Sequence, residues 1–86
     1  MHELSIAMEI CRITEEAVGP DRLGDVIEVG LDVGVDADVV IDNLEFCLEA
    51  LLAGPPFGRG RPVIASRPGD DLRVTYLEVD DADQTN

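Results

Sequence analysis

The sequence predicts an α+β fold: two helices packed on one face of a three-stranded sheet, in the order α-β-α-β-β, within a single small domain. Two stretches carry apolar residues at helical spacing, three others have strand patterning, and Gly and Pro clusters punctuate the joins. Length supports one domain: 86 residues bury only roughly 60–65% of the unfolded surface. Hydrophobic residues make up 45% and charged residues 29%, a globular balance rather than a disordered one. Aromatics stand at 3% (Phe46, Phe57 and Tyr76), so aliphatic side chains must do the packing.

The first helix is expected from Leu4 to Val18. At 100° per residue Ile6, Ile10, Ile13 and Ala17 form one stripe and Leu4, Ala7, Cys11 and Val18 the adjoining one. So wide an apolar arc suits packing on both a sheet and a neighbouring helix. Gly19-Pro20 ends it. Asp25 to Val35 then alternates, with Ile27, Val29, Leu31, Val33 and Val35 on one side and Glu28, Gly30, Asp32 and Gly34 on the other. Asp36 or Asp38 offers an N-cap for a second helix, in which Val40, Leu44, Cys47, Leu48 and Leu51 repeat at helical spacing and Gly54-Pro55-Pro56 is the stop. Strands are expected over Arg61 to Arg67 and Leu72 to Val79. Pro68-Gly69-Asp70 between them predicts an antiparallel hairpin. The domain so defined spans 1–79, and 80–86 is a polar acidic tail, expected to fray.

Nineteen acids against six bases, all arginine, leave a net charge of -13. A field of that sign repels phosphate backbones and anionic lipid, so neither nucleic acid nor a membrane surface is an expected partner. No apolar run approaches the ~20 residues of a membrane span. The opening Met1-His2-Glu3 has no basic region of the kind that begins a signal peptide. A cytoplasmic protein is expected, with Cys11 and Cys47 as reduced core thiols rather than a disulfide.

Enzyme constellations are missing. The single histidine, at position 2, leaves no Ser-His-Asp or Cys-His set to assemble elsewhere, and no glycine-rich loop ends in Lys-Ser/Thr. Arg59-Gly60-Arg61 reads as a mobile basic loop. Glu15-Glu16 and Asp70-Asp71 read as solvated surface. The chain start is different. A free Met1 α-amine, the deprotonated His2 amide nitrogen and the His2 imidazole can chelate one metal in fused rings, with a Glu3 amide nitrogen or carboxylate as the fourth donor. Nitrogen-rich square-planar coordination suits Ni(II) or Cu(II). The bulky His2 also predicts that the initiator methionine is retained.

The heptapeptide Met1-His2-Glu3-Leu4-Ser5-Ile6-Ala7 resembles the opening of the HypA family, the nickel metallochaperones of NiFe-hydrogenase maturation. The likeness continues in Glu15-Glu16-Ala17, in the valine-rich strand ending at Gly34, and in Leu44-Glu45-Phe46 with Glu49. It reaches Gly69-Asp70-Asp71-Leu72-Arg73-Val74 and Leu77-Glu78-Val79. The resemblance implies Ni(II), bound transiently by the Met1 amine, His2 and neighbouring backbone nitrogens with Glu3 assisting. It further implies handover to a hydrogenase large subunit in cooperation with a nickel-handling GTPase, and a carrier rather than an enzyme.

Two departures from the family pattern stand out. Family members insert a zinc domain of two CxxC pairs before the last strand; here Ala65-Ser66-Arg67-Pro68-Gly69 joins the strands directly and no CxxC occurs. No structural zinc is therefore expected. The family's Gly-Glu-Leu-Ser stretch reads Gly34-Val35-Asp36-Ala37. The pattern is that of a HypA-like nickel domain alone. The alternative is an interaction or regulatory module that keeps the fold without delivering metal.

Overall fold

The computed structural model describes residues 2–80. Helix α1 runs Glu3–Val18, strand β1 Val26–Gly34, helix α2 Ile41–Ala53, strand β2 Arg61–Arg67 and strand β3 Leu72–Val79, with a 3-10 turn at Pro20–Asp25. The expected elements are all present, and both helices cover one face of a three-stranded sheet. Val29, Leu31 and Val33 of β1 are buried with Ala7 and Ile10 of α1 and with Leu44, Leu48 and Leu52 of α2. Leu72, Val74 and Leu77 of β3 pack against this core from the side.

The sheet order corrects one expectation. The strands lie as β2-β1-β3, with β1 parallel to β2 and antiparallel to β3. No β2–β3 hairpin forms. Parallel strands need a crossover of a dozen or more residues, and α2 supplies it, making β1-α2-β2 a βαβ unit. The Pro68–Asp71 segment then bridges two strand spacings, roughly 10 Å and within reach of four residues. It passes over the end of β1, where Gly34 N–H donates to Asp71 O (2.6 Å), Val35 N–H to Arg67 O (2.8 Å) and Asp36 N–H to Gly69 O (2.8 Å). A Cβ on Gly34 would overlap the Gly69 carbonyl, so the close crossing requires glycine there.

Register irregularities change which residues face inward. Between the Val26–Val79 and Glu28–Glu78 pairs β1 carries one extra residue, Ile27. This bulge brings Val26 rather than Ile27 fully into the core. Between the Gly30–Tyr76 and Leu31–Val74 pairs the extra residue, Thr75, lies on β3. At the far end Val35 lies beyond the strand and is exposed.

The helices depart from expectation in their details. On α1 the buried residues are Ala7, Ile10 and Thr14, the centre of the wide arc, while Leu4 and Ile13 at its margins are exposed. Thr14 is tolerated in the core because its hydroxyl donates to Ile10 O (2.8 Å). Gly19, at φ 89°, ends the helix as expected, its N–H donating to Glu15 O. Neither Asp36 nor Asp38 caps α2. The chain turns first, with Ala37 N–H on Gly34 O and Asp38 at φ 58°, so the helix begins at Ile41 behind Val40. Val40 is correspondingly exposed, and Leu52 takes the inward place after Leu48.

The outer sheet face is held by charge. Glu28 accepts from Arg61 Nη2 and from Tyr76 Oη, both at 3.0 Å. These two donors hold the Glu28 carboxyl below its ordinary range, and the carboxylate in turn pushes the Tyr76 phenol up. Tyr76 lies across Gly30, where a Cβ would collide with its ring. Asp32 is flanked by Arg67 (3.4 Å) and Arg73 (3.9 Å). Arg59 is tied down rather than mobile, bonding Gly24 O (3.1 Å) and Asp80 Oδ2 (2.9 Å). Asp80 also donates its N–H to Asp25 O (2.8 Å), so this first residue of the expected tail is anchored; the rest of the tail, 81–86, lies outside the described residues.

Leu48 is fully buried at the centre of α2. Leu48→Ala is expected to lower the unfolding free energy by about 2–5 kcal/mol, read from the urea midpoint at unchanged slope.

Candidate metal centre

The start of α1 sets the geometry of the predicted site. His2 is the residue before the first helical turn; its carbonyl accepts the Ile6 N–H at 3.2 Å, and the residue itself is solvent-exposed. It is one of the residues lining a groove of about 360 Å³ between α1 and β3, whose apolar walls are Ile6, Ile10 and Ile13 on the helix and Leu72 and Val74 on the strand.

Glu3 has a task in the fold. Its Oε2 accepts the Val40 N–H at 2.9 Å, immediately before the first residue of α2. A helix N-terminus presents unsatisfied N–H donors and partial positive charge, and α2 has no side-chain cap of its own. The carboxylate of α1 supplies one from 37 positions upstream. That bond, followed by one from Glu3's own backbone N–H, holds the Glu3 carboxyl below its ordinary range. Val39 and Val40 offer no side-chain cap of their own, but nothing local in the sequence points to Glu3 as the group that supplies one.

His2 and Glu3 are thus adjacent at the tip of α1, with the Glu3 carboxylate turned to α2. Met1, whose α-amine is the remaining predicted donor, lies outside the described residues. Among the described residues no group of three His, Cys, Asp or Glu side chains gathers into a metal site. Cys11 and Cys47 are free and half-buried, packed against the core. Burial pushes the Cys11 thiol up, away from the thiolate form that binds metal.

The first 70 residues match the family model described as hydrogenase/urease nickel incorporation, metallochaperone, HypA. The chain belongs to the HypA family. Two hydrogenase maturation factors HypA, from Azotobacter chroococcum mcd 1 and Geobacter metallireducens, are each 38% identical over 69 residues, 80% of this chain. The chain spans about three-fifths of their length, 61% and 60% respectively. The solution structure of the Ni metallochaperone HypA from Helicobacter pylori superposes with a TM-score of 0.76 at 12% identity, covering 93% of this chain and 98% of that one. At that identity the likeness establishes the HypA fold alone. The family is one of metallochaperones rather than enzymes. No helix among the described residues is long and apolar enough to cross a membrane.

The Glu3 tie makes a pH-dependent prediction. A carboxyl lowered by folding contributes stability above its unfolded pKa and loses it as pH falls through the lower folded value. Val40 amide exchange is expected to be slow at neutral pH and to accelerate, relative to other amides of α2, only below the ordinary carboxylate range. In Glu3→Gln that acid-dependent step should vanish.

Proposed function

We propose that this HypA-family chain is a cytoplasmic nickel carrier for metalloenzyme assembly, holding Ni(II) at its N-terminus through Met1, His2 and Glu3 and lacking catalytic activity. The observation that supports it most directly is the exposed His2 at the open tip of α1, in a chain whose family is described by nickel incorporation. The Met1 α-amine, the His2 amide nitrogen and the His2 imidazole provide three nitrogens in succession, the donor type that favours Ni(II) over hard-oxygen cations. Glu3 contributes most economically through its amide nitrogen, since its carboxylate already serves α2.

These donors suit a cargo rather than a resident metal. They include the exposed His2, so a recipient can exchange them one at a time, and each must lose a proton, so affinity rises with pH. The recipient inferred from the family is a hydrogenase large subunit, with a nickel-handling GTPase as helper. With two cysteines and no CxxC pair, residues 1–79 serve as a nickel domain that folds without structural zinc. The alternative is an interaction or regulatory module that keeps the fold without delivering metal.

Calorimetry on untagged protein with a native Met1 separates the two. The native chain is expected to bind one Ni(II) near neutral pH, His2→Ala to abolish binding, and one extra residue ahead of Met1 to weaken it more than about tenfold by turning the amine into an amide. Chelator should leave the thermal transition unchanged. Equal binding by all three proteins would move the metal to the acidic surface, and no binding by any would favour the interaction module.

A further inference from the structure

Strand β3 is an edge strand, and among the described residues no main-chain bond pairs its outer side. The opposite edge strand, β2, carries Pro62, which removes a donor and blunts an edge. β3 has neither proline nor glycine over Leu72–Val79. Its protection is the bulge at Thr75, which puts an ordinary straight strand out of phase halfway along.

That bulge also makes β3 symmetric. From Leu72 to Val79 the residues lie inward, outward, inward, outward, outward, inward, outward, inward, as the alternation of half-buried and exposed positions shows. The pattern reads the same in both directions about the Thr75–Tyr76 bond. We infer that the outer edge of β3 is a self-recognition surface, where a second copy of this chain adds its own β3 antiparallel to form a continuous six-stranded sheet. Only a strand with the same bulge at the same place stays in phase throughout.

The chemistry of the pairing agrees. Inward, Leu72 meets Val79 of the second copy and Val74 meets its Leu77, so aliphatic faces aliphatic. Outward, Arg73 meets Glu78 of the second copy, twice by symmetry. Within one chain Glu78 is placed opposite Glu28, a like charge, while Arg73 is 71% exposed and reaches only Asp32, at 3.9 Å. Each is better satisfied by the copy than by its own chain, since opposite charges across a strand pair attract and like charges repel. The inward Leu77 and Val79 of the copy would also lie beside the groove between α1 and β3, covering apolar surface that one chain leaves open. Against this stands the net charge of -13 on each copy, so association should strengthen as salt screens the long-range repulsion.

Sedimentation velocity on metal-free full-length chain, from micromolar to about 1 mM in moderate salt, is the test. A reversible monomer–dimer equilibrium is expected. Arg73→Glu and Glu78→Arg should each weaken it by about tenfold, and the double swap should recover most of that loss. Circular dichroism establishes that each variant is folded. On the unaltered chain, amide exchange across 72–79 should slow as protein concentration rises. A monomer throughout this range, a dimer indifferent to either single reversal, or a double swap no better than the singles would each overturn the inference. None of these outcomes depends on nickel, so the carrier reading stands or falls separately.

Discussion

A strand paired on both edges and covered on one face has its backbone donors and acceptors spent inside the sheet and its side chains committed to the core. β1 is that strand. Val26, Val29, Leu31 and Val33 are fully or almost fully buried, β2 and β3 depend on it for every ladder bond they make, and α2 is the crossover that brings the chain back beside it. In a domain with so few aromatic side chains this aliphatic row and the facing Leu44, Leu48 and Leu52 must provide most of the burial that offsets chain entropy. The helix tip carrying His2 and Glu3 inherits its position from that packing through Ala7 and Ile10.

Local pattern revealed which elements form; it did not reveal how they pair. Helical spacing and strand alternation are properties of a few consecutive residues, so α1, β1, α2, β2 and β3 were all legible, along with the single covered face. The hairpin reading of Pro68-Gly69-Asp70 failed because turn composition says that the chain reverses, not how far apart the reversed strands lie. The strand-helix-strand order over β1, α2 and β2 held the better clue, since it allows a parallel pair. Ile27 and Thr75 show a second limit: a bulge inserts one residue without altering composition, and Val26 takes the inward place that strict alternation gives to Ile27. Thr14 was missed because a hydroxyl satisfied within its own helix behaves as an apolar group, which polarity alone does not disclose.

Of the proposed metal donors, the structure describes His2 and Glu3, adjacent at the tip of α1; donors consecutive in sequence need no tertiary structure to lie together. What sequence left open was the tertiary engagement of Glu3. Its bond to Val40 joins the first turn of α1 to the start of α2 across 37 positions, and no local pattern encodes a contact of that range. The same carboxylate thus belongs to the architecture, while the adjacent imidazole remains free of it.

The placement of β3 bears on how the domain comes into being during synthesis. The central strand is made early and its parallel neighbour is complete by Arg67, yet the other side of β1 waits for the last strand of the domain. Until residues 72–79 have left the ribosome, β1 has one open side and the core lacks Leu72, Val74 and Leu77. Contacts so distant in sequence form slowly because a long loop must close first. The finished architecture is therefore expected only once residues 72–79 have emerged. The exposed bend at Pro68–Asp71, which lies just before the closing strand, is the place where additional chain could be accommodated with the least disturbance to what has already folded.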